Sequence, residues 1–261
     1  MNSPDTFIQE VARKAGEWLK RRIGEEHTVD YKGIINIVTE ADRQSEEMIV
    51  SAILERYPDH DILAEEADRV LKGSPYRWII DPLDGTTNYA HGYPVFCVSI
   101  ALEEYGVIRH GVVYNPMLEE MFYACRGGGA FLNGRPLRVS GTKDLSRSLL
   151  ATGFPYDIRE NSDNNMNYFH VMARSAQAIR RAGSAALDMA YVAAGRFDGF
   201  WELRLMPWDT AAGWLLVVEA GGQVTNLTGA PFALDAPHIL ASNGRIHESM
   251  IAALRLASSP A

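Results

Sequence analysis

Cysteine is scarce in this chain of 261 residues: only Cys97 and Cys125 occur. Both sit in apolar, strand-like surroundings, which favours buried free thiols over a disulfide and fits a reducing cytoplasm. A basic surplus is also lacking. The formal net charge is −8, with acids spread along the chain, so a face for naked nucleic acid is not expected. No run approaches the ~20 apolar residues of a membrane span. The Met1–Arg22 segment carries charge throughout and lacks the apolar core of a signal peptide. The seven histidines are scattered without metal-ligand spacing, and no Gly-x-Ser-x-Gly elbow appears, so zinc and serine chemistries find no support. Internal repeats, charged tails and low-complexity segments are absent.

What is present centres on Arg77-Trp78-Ile79-Ile80-Asp81-Pro82-Leu83-Asp84-Gly85-Thr86-Thr87-Asn88. Its first half is a short apolar run of strand-forming residues. Pro82 cannot donate to a ladder, so the strand is expected to stop at Asp81. Asp84-Gly85 reads as a tight turn, and Thr86-Thr87-Asn88 offers capping side chains and free amides, as at a helix start. Carboxylates crowd in this way only when a cation compensates them, and an all-oxygen set suits a hard ion such as Mg²⁺. Exposed amides at a helix start suit a phosphate. By itself the stretch is equally well an ordinary Asp-Gly turn after a core strand. Two more acidic sites shift that balance. Asp61-Ile62-Leu63-Ala64-Glu65-Glu66 is an apolar run ending in paired acids, and Pro207-Trp208-Asp209-Thr210-Ala211-Ala212-Gly213 sets an acid where a helix begins. A Glu pair is commonly solvated and an Asp at that place is commonly a cap.

Taken in order, Pro4 and Asp5 start a helix on which Phe7, Val11, Ala15, Trp18 and Leu19 share a face, with Ser3 as its cap. Lys32 to Val38, loosened by Gly33 and Asn36, is a strand or loop. Thr39 and Asp42 form a capping box for a second helix that Pro58 ends. Val95 to Val139 alternates as an antiparallel meander, in which Gly127 to Gly129 is a turn without the strand-to-helix context of a nucleotide loop. Beyond Gly141 strands and helices alternate through Leu149–Gly153, Tyr168–Ala173, Ala178–Arg181 and Ser184–Ala194. Asp198–Leu203 is strand-like and carries Glu202. Asp209 opens a helix closed by Gly221-Gly222. Gln223–Asn226, Ile239–Ala241 and a helix over His247–Leu256 finish the chain. Two parts are expected within one compact unit: 1–141, bearing the acidic turn, and 142–261, completing the site.

The Glu65-Glu66 pair, the Asp81-to-Asn88 stretch and the distant Trp208-Asp209 resemble, in order and rough spacing, the pattern of the inositol monophosphatase family of Mg²⁺-dependent phosphatases. That resemblance implies a layered α-β-α-β-α sandwich of mixed α/β class, and a hydrolase sensitive to lithium. It implies two or three Mg²⁺ ions. Glu65, Asp81, the Leu83 carbonyl and Thr86 would hold the ion that activates water, and Asp81, Asp84 and Asp209 a second. Glu66 would support a third ion or an ordered water. Asp42 would orient the Thr86 hydroxyl, the Gly85 and Thr86 amides would take the phosphate, and Lys32 would lie on a closing loop. Gly183-Ser184-Ala185 has amides that either face ligand or cap a helix, and Glu202 stands where inositol-specific members place an acid against sugar hydroxyls. Met206 occupies a position where many relatives carry His or Arg. The expected substrate is a small phosphate monoester, inositol 1-phosphate first. Alternatives are a broader sugar-phosphate phosphatase of the fructose 1,6-bisphosphatase kind, or action on histidinol phosphate or 3′-phosphoadenosine 5′-phosphate. A different class of alternative is a non-enzymatic partner of the transcription machinery, as some bacterial relatives are. The resemblance also implies a homodimer, in keeping with a cytoplasmic protein that contacts neither membrane nor nucleic acid.

Overall fold

The computed structural model describes residues 4–25, 29–31, 37–66 and 69–257. The expected loop residues Lys32, Gly33 and Asn36, and the cap Ser3, lie outside the described residues. Helix α1 spans Pro4–Arg22, and a two-stranded ribbon, β1 (Val29–Tyr31) with β2 (Ile37–Thr39), leads into α2 (Glu40–Arg56). Strands β3 (Asp61–Ala64) and β4 (Tyr76–Asp84) precede a single helical turn, α3 (Thr86–Ala90). The meander follows as β5 (Cys97–Glu104), β6 (Val107–Asn115), β7 (Glu120–Cys125), β8 (Gly129–Leu132) and β9 (Arg135–Pro136). The second half runs β10 (Leu149–Thr152), α4 (Met166–Ser175), β11 (Ala178–Arg180), α5 (Ala185–Ala193), β12 (Gly199–Leu203), α6 (Pro207–Glu219), β13 (Gln223–Thr225), β14 (His238–Ser242) and α7 (His247–Ala257).

Strands β3 to β9 form one sheet in sequence order, antiparallel except for the parallel pair β3–β4. The other sheet is mixed, in the order β11-β10-β12-β14-β13. Period-two alternation divides their side chains among three apolar layers. Trp78, Ile80, Val98, Ile100 and Leu102 face α1 and α2. Ile79, Cys97 and Ala101 face the other way, onto α5 and α6, and Phe200, Ile239 and Ala241 of the second sheet cover the same helices from the opposite side. Trp201, Leu203 and Leu240 point outward to α4 and α7. The order is therefore α1/α2, sheet, α5/α6, sheet, α4/α7, as the resemblance implied.

The apolar helices α5 and α6 are buried on both flanks, which is why they read as near-continuous Ala, Leu, Val and Met. The Gly127–Gly129 turn fastens α6 to the meander: the Gly127 and Gly129 amides donate to the Glu219 carboxylate at 2.9 and 3.0 Å.

One expectation is corrected. Strand β4 does not stop at Asp81 but continues through Pro82 to Asp84. Asp81 pairs with Ser99 and Asp84 with Cys97, so three steps on β4 answer two on β5. Pro82 sits inside this bulge, where no ladder hydrogen bond is asked of it, and its carbonyl accepts from the Ser45 hydroxyl at 2.8 Å. The irregularity sets both acids at one end of the sheet.

Candidate active site

Parallel pairing of β3 with β4 aligns Ala64 with Ile80. One step further along both strands come Glu65 and Asp81. The bulge then presents Asp84, and Gly85 turns the chain into α3 with φ of 107°. A side chain at Gly85 is barred twice over: its backbone is left-handed, and a Cβ would lie 2.9 Å from the Val95 carbonyl oxygen. The second half closes the site with the starts of α5 and α6 and the end of β12. A cavity of about 520 Å³ lies between the two parts, lined by Glu65, Asp81, Asp84, Thr86, Glu202 and Asp209 among others. The first turns of α3, α5 and α6 meet it, so its walls combine converging acids with amide-rich helix starts.

Thr86 and Asp42 meet directly, with the Thr86 hydroxyl donating to Asp42 Oδ1 at 2.8 Å. Asp42 Oδ2 accepts from the Thr39 hydroxyl at 2.6 Å and from the Thr39 amide at 2.8 Å. The alternatives of helix cap and threonine partner are thus both realised, one on each oxygen. Asp209 behaves alike: it lines the cavity, and its Oδ2 accepts from the Met206 amide at 2.6 Å as part of a capping box.

Ser184 and its neighbours are assigned by their contacts. The Ser184 hydroxyl and the Ala186 amide each donate to Asp84 Oδ2 at 2.7 Å. The start of α5 therefore grips a carboxylate of the chain itself, with Gly183, Ser184 and Ala185 still lining the cavity. Leu83 and Gly85 also line it, whereas Glu66 is not among the lining residues; its amide donates to Glu46 Oε2 at 2.8 Å.

Electrostatics separate this site from an ordinary acidic surface. Burial, followed by the charges of Glu65, Asp84 and Asp209, pushes Asp81 well above the carboxylate range. Burial, then Asp84 and Glu65, does the same to Asp209. Asp84 is raised by burial, and the hydrogen bonds from Ser184 and Ala186 oppose that rise. Burial, then Asp84, carries Glu202 to about 8. The acids share a cavity and sense one another's charge, although among the described residues no three His, Cys, Asp or Glu side chains close on one point. All the donors are oxygen, and repulsion among the acids is what a hard divalent cation would relieve. The residues fit such an ion.

Several contributors escaped sequence reasoning. Asp188 is buried in α5, lines the cavity, and leaves Oδ1 without a hydrogen-bond partner among the described residues. Its signal was a lone acid in an apolar helix. Asn88 ties the two parts together, its Nδ2 donating to the Val95 carbonyl at 2.7 Å and to the Ala182 carbonyl at 2.9 Å. Gly153 leaves room for Glu202, since a Cβ there would lie 2.0 Å from Glu202 Oε1. No local pattern could reveal these partnerships, which span up to 94 positions in the chain.

The sequence model of the inositol monophosphatase family matches residues 2–259. The chain is 50% identical over 220 residues to the inositol-1-monophosphatase of Synechocystis, covering 84% of this chain and 77% of that one. It is 47% identical to the Nus factor SuhB of Pseudomonas aeruginosa, over 94% and 93% of the respective chains. Among solved structures, the inositol monophosphatase of Anabaena superposes with a TM-score of 0.89 at 45% identity, covering 97% of this chain and 95% of that one.

Proposed function

Because the chain belongs to the inositol monophosphatase family, a family of phosphoric monoester hydrolases, we propose that it hydrolyses inositol 1-phosphate with Mg²⁺ at the cavity between its two sheets. The observation that carries this reading is the convergence of Glu65, Asp81, Asp84 and Asp209 on one cavity, where burial and then the neighbouring acids' charges raise Asp81 and Asp209. Four acids would repel a phosphate dianion, so the site is competent only when cations offset them. In this proposal Glu65, Asp81, the Leu83 carbonyl and Thr86 hold one ion, and Asp81, Asp84 and Asp209 a second; Glu66 and a third ion are secondary. Bound Mg²⁺ would supply charge neutralisation, polarisation of the phosphoryl group and acidification of water.

The remaining work falls to the chain. The Thr86 hydroxyl, directed by Asp42, orients the attacking water, and as it takes the water's proton it passes its own to the Asp42 carboxylate it already donates to. Ser184 and Ala186 hold Asp84 at a fixed angle. The amides of Gly85 and Thr86 at the start of α3 meet the phosphate. Glu202, buried on β12 beside Gly153, accepts from hydroxyls of the alcohol half. Residues 1–141 and 142–261 form the two halves of one unit in this reading, and the active form is a cytoplasmic homodimer.

The test is a panel of esters assayed with Mg²⁺: inositol 1-phosphate, fructose 1,6-bisphosphate, histidinol phosphate, 3′-phosphoadenosine 5′-phosphate and an aryl phosphate. The highest kcat/KM is expected for inositol 1-phosphate, and a flat profile would favour the broad sugar-phosphate phosphatase. A second reading, association with the transcription machinery, is favoured by the 47% identity to a protein named Nus factor SuhB. The acid set speaks for catalysis alongside any such role, since an adaptor needs no cluster of buried acids. Among the described residues no helix is long and apolar enough to cross a membrane.

A further inference from the structure

Tyr156 lies in the loop between β10 and α4, a stretch whose polar sequence gave no functional signal. Its side chain lines the cavity although the residue as a whole is 55% exposed. The loop on which it rides is fastened on both sides. Phe154 packs its ring on Phe169 with centroids 5.6 Å apart, and the Asp157 carboxylate pairs with the Arg204 guanidinium. At the loop's far end the buried Asn165 donates to the Thr152 hydroxyl at 2.9 Å and to the Gly153 carbonyl at 2.6 Å, and it accepts from Trp201 Nε1 at 2.7 Å. Tyr156 is thereby held at the cavity wall by packing, an ion pair and hydrogen bonds on both sides of its loop.

Its phenol sits close enough to the acids to register all four. Burial first, then the charges of Glu65, Asp209, Asp84 and Asp81, raise it above the ordinary phenol range. It therefore stays a neutral O–H donor across the working pH range. No residue among those described accepts its proton. A neutral donor on the wall of the cavity that holds the carboxylates, and still open to solvent, can meet an anion that enters there. With no bond to any of the acids among the described residues, the hydroxyl is open to that anion.

We propose that the Tyr156 hydroxyl is a substrate-binding group that donates a hydrogen bond to a phosphoryl oxygen of the bound ester. This inference rests on the phosphatase reading above and assigns the phosphate, rather than the alcohol, as the part of the substrate Tyr156 holds. It distinguishes Tyr156 from Glu202, which faces the alcohol. Loss of a donor to a charged group weakens binding by about tenfold or more.

The experiment compares the full-length wild-type protein with Tyr156→Phe, which keeps the ring and removes only the hydroxyl. Inorganic phosphate is titrated calorimetrically in the presence of Mg²⁺, and turnover is measured on inositol 1-phosphate and on an aryl phosphate. Phosphate affinity is expected to fall at least tenfold in Tyr156→Phe. kcat/KM is expected to fall by a similar factor on both esters, with the melting temperature unchanged. A variant that binds phosphate and turns over both esters like wild type overturns the Tyr156 assignment and leaves the phosphatase reading intact. A loss confined to inositol 1-phosphate also overturns it, by moving Tyr156 to the alcohol. Wild-type protein that neither binds phosphate nor hydrolyses any ester overturns both.

Discussion

Asp42 holds two jobs at once, and a small set of variants separates them. Its Oδ2 closes the capping box of α2 through Thr39, while Oδ1 accepts from Thr86 at 2.8 Å. In Asp42→Asn the amide keeps one accepting oxygen. Turned toward Thr39, it preserves the helix start and leaves the Thr86 hydroxyl facing an NH₂ group, which cannot accept. Proton transfer by a positioned base contributes roughly 10²–10⁴ in rate, so kcat should fall within that range. Stability should change little, because the raised, buried carboxylate is replaced by a neutral group that still serves the cap. Thr86→Ala should lower kcat comparably. Thr39→Ala is the counterpart: it removes a capping hydroxyl worth ~1 kcal/mol, or roughly 2–4 °C in Tm for a chain of this size, and should cost no more than about tenfold in kcat. The double variant Thr86→Ala/Asp42→Asn should be no worse than its worse parent, since groups acting as one unit are not additive. Phosphate release at saturating Mg²⁺ and thermal melts supply both readouts. Multiplying losses in the double variant, or a kcat in Thr39→Ala as low as in Thr86→Ala, would show Asp42 to be a helix cap and no more.

Asp209→Asn should abolish turnover at saturating Mg²⁺ while raising Tm in the metal-free protein, because one buried like charge is removed; wild-type turnover in that variant would reduce Asp209 to its capping role. Gly153→Ala must displace the Glu202 carboxylate, since the added Cβ would lie within 2.4 Å of three of its atoms. It and Glu202→Ala should therefore both lose about 10- to 100-fold in kcat/KM on inositol 1-phosphate and little on an aryl phosphate, whereas equal losses on both esters would take Glu202 out of substrate selection. In the metal-free protein Glu202 is raised to about 8 in the folded state, above its ordinary value of 4.5. Folded protein then holds the extra proton between these values, so the contribution of this one group to stability is greatest below about pH 4.5 and falls as pH rises toward 8, by at most ~1.4 kcal/mol per pH unit. Melting curves across that window should show the fall, reduced in Glu202→Gln, and a slope unchanged by that substitution would contradict the shift.

The acidic turn was legible because its chemistry violates the pattern around it: Asp81 and Asp84 interrupt an apolar strand, and Glu65 and Asp209 stand where one element ends or another begins. Each local expectation came with an innocent alternative, and for Asp42 and Asp209 the capping alternative is realised: Asp42 caps α2 with one oxygen and accepts from Thr86 with the other, and Asp209 caps α6 while lining the cavity. Period-two alternation foretold the meander, whereas the burial of the apolar helices α5 and α6 on both flanks came only with the structure. Pro82 misled because a strand was assumed to be regular; a bulge absorbs the missing donor and continues pairing. Asp188, Asn88 and Tyr156 remained hidden for another reason. Each acquires meaning from residues brought near by the stacking of the two sheets, which no short window of sequence encodes.

The central claim is that four converging acids make this cavity a cation-dependent phosphatase site. It is tested most directly by measuring phosphate release from inositol 1-phosphate before chelation, after exhaustive chelation, and after Mg²⁺ is added back. Turnover should vanish on chelation and return with Mg²⁺, and Ca²⁺ in its place should leave the protein inactive because the larger ion does not impose octahedral geometry. Full turnover in the chelated protein would contradict the account.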